Sequence, residues 1–98
     1  MIDYYDRQGN PVTFMDWAKN LGDRDECVAK TPISDGEVLV STVFLGINNN
    51  FFGGPPLIFE TMIFGGPLDQ FQERYTTEAQ ALEGHERAVH RARMAGSA

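Results

Sequence analysis

Cysteine is nearly missing from this 98-residue chain: Cys27 is the single one. No disulfide can close within it, which points to a reducing compartment. A structural zinc site that draws two or more cysteines from one chain is excluded too. Basic residues are scarce, with eight Lys and Arg against fourteen Asp and Glu and a net charge of −6. A nucleic-acid binder needs a basic face to neutralise phosphates, so direct nucleic-acid binding is not expected. Docking on an anionic membrane is disfavoured for the same reason. An acidic mimic of nucleic acid is compatible with this charge, although a plain acidic surface is the simpler reading. No apolar run is long enough to span a bilayer. The opening MIDYYDRQGN has neither a basic n-region nor an apolar h-region, so no signal peptide is expected. Together these features suggest a cytoplasmic protein.

What is present is globular: 42% hydrophobic and 22% charged residues, eleven aromatics and no low-complexity segment. The length suits one domain, 1–98, with a frayed end over 95–98. Its core is modest, since a domain of this size buries about 60–68% of its unfolded surface. A homodimer that shares core is neither demanded nor excluded.

Local patterns predict the elements. Tyr4 and Tyr5 start a short strand, and Gly9-Asn10-Pro11 turns it back. Thr13 can cap a short helix carrying Phe14, Trp17, Ala18 and Leu21 at helical spacing, with Gly22 as its stop. Residues 23–26 read as a charged connector. Residues 27–33 read as extended, with Pro32 marking an edge or an end. Ser34-Asp35-Gly36 signals a hairpin turn. Residues 37–46, EVLVSTVFLG, form the strongest strand, apolar on both faces and therefore central. Residues 57–64, LIFETMIF, predict the next strand, with Ile58, Glu60, Met62 and Phe64 on one face. Residues 70–75 alternate cleanly and predict a strand with one wet face. Thr77 to Gln80 is a capping box opening a helix to about Met94, with Ala81, Leu82, His85, Ala88, Val89 and Ala92 as its apolar stripe. The fold class is α+β: an antiparallel meander of about four to five strands, with a short N-terminal and a longer C-terminal helix on one face.

Few residues look chemical. FGGP occurs twice, at 52–55 and 64–67. A phosphate-cradling loop needs a Gly-rich backbone leading into a helix N-terminus. Both copies lead into proline and extended chain instead, and proline removes an amide such a nest would use. The segment between them spans roughly 26 Å at about 3.3 Å per residue, which sets the copies at opposite ends of the sheet. The segment 46–56, GINNNFFGGPP, is long for a hairpin loop. Asn48, Asn49 and Asn50 could read polar ligand edges, and Phe51 and Phe52 could anchor a partner. Alternatively, a phenylalanine tucks into the core and the asparagines only close turns. Glu60, among apolar neighbours, needs a partner if its face is buried: a pocket with Tyr75 or His85 is one arrangement, pairing with an arginine such as Arg74 another. His85 lies on the apolar stripe, which suits a hydrogen-bonded core histidine better than a catalyst. His90 points to solvent. No residue pattern predicts a cofactor or metal.

YYDRQGNPVTFMDWA, VSTVFLGINNNFFGGPPLIFETMIFGG and ERYTTEAQALEGHE together resemble a family of small proteins encoded by bacteriophages and prophages, especially of actinobacteria. GGPPLIFETMIF and ERYTTEAQALEGHE carry most of the resemblance, which covers most of the chain. The family has no established activity, so it supplies no catalytic residues. Its pattern often has Trp where this chain has Phe44 and His near Asn49. The asparagine here argues against a catalytic or metal role for that loop. The resemblance implies an accessory phage protein in the host cytoplasm. Three functions follow as expectations: a non-enzymatic module binding a host or phage macromolecule, for example to counter host defence; a protein that sequesters a nucleotide-like small molecule in a loop or dimer-interface pocket; and an enzyme using Glu60 or His85.

Overall fold

The computed structural model describes residues 3–19 and 26–96. Leu21, Gly22 and most of the expected connector fall outside the described residues, as do Ser97 and Ala98. Eight elements follow in order: β1 (Tyr4–Tyr5), β2 (Pro11–Val12), α1 (Phe14–Lys19), β3 (Cys27–Ile33), β4 (Val38–Phe44), β5 (Phe59–Phe64), β6 (Gln72–Tyr75) and α2 (Glu78–Ala95). β3 to β6 form an antiparallel sheet in sequence order, and β1 and β2 form a separate two-stranded hairpin. The fold is α+β, with β4 inside the sheet and Pro32 on an edge strand, where its missing N–H costs no ladder bond.

The β3–β4 turn uses Ser34, Asp35 and Gly36, all with positive φ. Thr77 caps α2: its side chain accepts from the Gln80 amide while Gln80 reaches back to the Thr77 amide. α2 buries Ala81, Gly84, His85, Ala88, Val89 and Ala92 against the sheet. Leu82 is not part of this stripe; it sits one position around the helix from Ala81 and is 45% exposed. The small stripe residues let the helix lie close to the strands. At Gly84 an added Cβ would come within 2.1 Å of the Tyr75 hydroxyl oxygen.

Two strand boundaries differ from the sequence expectation. β5 starts at Phe59, so Ile58 escapes the alternation and is buried beside Phe59 instead of sharing the Glu60 face. β6 starts at Gln72, because Gln70 takes φ 71° and breaks the extended backbone. The Ile58 amide still donates to the Tyr75 carbonyl (2.9 Å), so pairing outlasts the regular strand.

The core is divided. One cluster holds Ile33, Val38, Val40, Ile63, Ala88, Val89 and Ala92. The other holds Phe44, Ile58, Phe59, Tyr75 and Ala81. Between them lie Thr42, Thr61 and His85, all nearly inaccessible. Thr42 and Thr61 are register partners, one step from Val40–Ile63 on one side and Phe44–Phe59 on the other. Each large apolar side chain so buried contributes about 1.5–3 kcal/mol.

Candidate functional site

Strand β4 ends at Phe44 and the chain does not turn back until Phe59, which creates the long loop. Its base is stitched shut. The Leu45 amide donates to the Ile58 carbonyl (2.8 Å), and the Asn49 amide to the Leu57 carbonyl (2.9 Å). The N-terminal hairpin is strapped to the same base, with the Tyr5 amide donating to Gly46 (2.9 Å) and the Asn48 amide to Asp3 (3.0 Å).

The three asparagines turn inward. Asn48 Oδ1 accepts from the amides of Asn50 (2.8 Å) and Leu57 (3.0 Å). Asn49 Nδ2 donates to the Ile47 carbonyl (3.0 Å). Asn50 Nδ2 donates to the Pro55 carbonyl (2.9 Å), while its Oδ1 accepts from the Phe52 amide (3.2 Å). These bonds turn Asn48 Oδ1, Asn49 Nδ2 and both polar atoms of Asn50 to bracing the loop. Phe51 and Phe52 turn outward, 78% and 100% exposed. A braced loop with two bare phenyl rings at its tip can offer apolar contact area without first paying to become ordered.

Glu60 is held apart from this tip, on the sheet face opposite α2. Its Oε2 accepts from Arg74 Nε at 2.9 Å and from Gln72 Nε2 at 2.6 Å. Arg74 is its register partner on β6, so the ion pair is a cross-strand pair. The pairing with Arg74 is the arrangement adopted; Tyr75 and His85 lie on the other face of the sheet. Residues 38–68 hold no other charged side chain. The two central strands and the loop between them thus form a nearly charge-free span in an acidic protein.

His85 is 2% exposed beneath α2. Its Nε2 is 2.8 Å from Thr31 Oγ1 and its Nδ1 2.8 Å from Thr42 Oγ1, with Thr61 Oγ1 2.5 Å beyond Thr42. Sequence reasoning placed His85 in the core but did not find its threonines. Their place in strands β3, β4 and β5, with Thr42 and Thr61 among the inward-facing apolar positions, was the signal. Burial holds the imidazole pKa below its usual value, with Glu86 pulling weakly the other way. The Tyr75 hydroxyl is buried near the end of this line without a hydrogen bond of normal geometry. Burial is the main cause that raises its pKa; the nearby Thr61 hydroxyl lowers it in part. Both ring nitrogens of the imidazole thus face threonine hydroxyls.

Beside the loop base, Tyr5, Val12, Trp17 and Phe44 line a cleft of about 190 Å³ together with the charged residues Asp6, Arg7 and Asp16. Among the described residues no three His, Cys, Asp or Glu side chains are grouped to share a metal ion, and no helix is long and apolar enough to cross a membrane. Comparison with protein-family models, curated proteins and solved structures found no match for this chain.

Proposed function

We propose that this protein is a non-enzymatic binding module that docks on a host or phage macromolecule through the tip of the 46–56 loop. One observation carries the reading: Phe51 and Phe52 are bare while each of the three neighbouring asparagines bonds back to the loop through its side chain. Two adjacent bare phenyl rings on a braced loop supply the kind of aromatic anchor that partner surfaces bury. The enzyme reading needs Glu60 or His85 available to a substrate. Glu60 is tied to Arg74 and Gln72, and His85 is enclosed between threonines. The phage setting, and with it the host cytoplasm and interference with host defence, is the context the sequence resemblance suggests for such a module.

The test compares proteins retained from a host lysate by the wild type and by the Phe51→Ala/Phe52→Ala double variant. The reading expects a retained protein that disappears with the double variant while the far-ultraviolet circular dichroism stays the same. Identical retained sets would overturn it.

A further inference from the structure

The N-terminal segment and the rest of the molecule are built differently. Both apolar clusters belong to the sheet, α2 and the segments that join them. Among residues 3–19 none is buried. The segment is nevertheless ordered within itself. The Tyr4 ring lies 5.4 Å from that of Phe14 and 5.0 Å from that of Trp17, centroid to centroid, so α1 leans on β1. The Asp6 carboxylate gathers the amides of Gln8 (3.0 Å) and Asn10 (2.8 Å) and closes the β1–β2 turn. Its backbone links to the sheet side all fall on the loop base: Tyr5 to Gly46, Asn48 to Asp3, and a bridge between Tyr4 and Ile47. The partly buried Tyr5 ring rests on the Phe44 cluster, and Arg7 pairs with Glu78 in the first turn of α2. Asn48 is common to both sides of this joint. Its amide is held by the Asp3 carbonyl, and its side chain carries the amides of Asn50 and Leu57.

We propose that residues 3–19 act as a strap that opens from the loop base as a unit, before the sheet unfolds, and that closing it stiffens the 46–56 loop through Asn48. The difference in burial is the physical reason. Opening gives up a few backbone links and one partly buried ring, whereas unfolding the sheet gives up both apolar clusters. Once the strap is open, nothing from Asp3 fixes the Asn48 amide. The backbone there gains freedom, and the side chain loses the placement that braces Asn50 and Leu57. Closing reverses both changes and holds the phenylalanine tip on a rigid base. The Arg7–Glu78 pair is the latch: both side chains are partly exposed, so salt screens their attraction and shifts the strap toward open. The device goes beyond the docking reading and stands without it.

Native-state hydrogen exchange at rising, sub-denaturing guanidinium tests this. The amides of Tyr5 and Asn48 report the strap; those of Ile58 and Ile63, bonded to the carbonyls of Tyr75 and Phe71, report the sheet. Protection at the strap amides is at least about tenfold lower, and it depends less steeply on denaturant because opening exposes less surface. Arg7→Gln lowers protection at Tyr5 and Asn48 by about two- to fivefold, the range of a surface ion pair. Asn50 and Leu57 follow it, and Ile63 keeps its wild-type value. Should Arg7→Gln fail to fold, about 0.5 M sodium chloride on the wild type supplies the same weakening. Strap and sheet amides that share one protection factor and one denaturant slope overturn the strap. A strap that loosens on Arg7→Gln while Asn50 and Leu57 stay at wild-type protection overturns its hold on the loop. Protection at Tyr5 and Asn48 that neither the variant nor salt lowers overturns the latch. Lysate retention by the tip is read separately, so a failure there sinks the binding-module reading and not the strap.

Discussion

FGGP closes both ends of strand β5, and the two copies are held in different ways. At the second, backbone crowds backbone: a Cβ on Gly65 would come within 2.2 Å of the Glu37 carbonyl oxygen, at φ 87°. At the first, Gly53 has nearly the same φ, 86°, but open space around it. There the order comes from side chains, chiefly Asn48 and Asn50. The same four letters thus mark a packed turn at one end and a propped, projecting loop at the other. Glycine content alone does not distinguish them. What differs is what lies across the sheet from each.

The sharpest way to break this comparison is to add one methyl group at each end. Gly65→Ala should lower stability by about 3 kcal/mol, combining a left-handed backbone with a clash against main chain that cannot move aside. Denaturant unfolding reads it, and a loss no larger than that of Gly53→Ala would refute the contrast. Asn48→Ala should cost about 2 kcal/mol, since two backbone amides lose their acceptor. The same substitution should raise hydrogen exchange at Asn50 and Leu57 and leave the 65–68 turn unchanged.

Acid asks whether the two ends unfold as one. The Thr42–Thr61–His85 belt separates the apolar cluster near one turn from the cluster near the other. With the His85 pKa lowered by burial, the unfolded chain takes up its proton at a higher pH than the folded one. Stability is then full above about pH 6.5 and falls as the pH drops below it, by at most about 1.4 kcal/mol per pH unit for one proton. Resonances from both clusters should report one midpoint, and His85→Gln should flatten the dependence. Separate midpoints would mean that the belt divides the domain into two cooperative units.

Gly53→Ala should cost about 1 kcal/mol, the strain of a left-handed alanine with nothing to strike. Phe52→Ala should change stability by less than about 0.5 kcal/mol, because the ring touches nothing in its own chain. A larger loss would show that the tip packs at home and is not held out for a partner.

Much of the fold was legible because its signals are local. The Thr77–Gln80 box, the Ser34-Asp35-Gly36 turn and the two-sided apolar β4 each need only a few neighbouring residues to be read. The strand ends at 57–58 and 70–71 were not, since alternation runs on past the point where the backbone turns away. Glu60 could be assigned a need for a partner, and Arg74 was a natural choice in the next strand of the pattern. The His85 belt was harder. Thr31 and Thr42 lie 54 and 43 residues from His85 in sequence, and only the sheet register brings them together. The outward turn of Phe51 and Phe52 also depends on bonds that asparagine could have made in either direction.

The nearly charge-free central hairpin has a practical side. Neither lysine nor arginine occurs between Lys30 and Arg74, so trypsin releases residues 31–74 as one peptide carrying both central strands and the loop. Amine-reactive dyes and cross-linkers likewise find no lysine anywhere on that peptide. A fluorophore placed on lysine therefore leaves the phenylalanine tip chemically untouched, and a cross-link recovered on 31–74 would have to come from its acidic, hydroxyl or photoreactive chemistry.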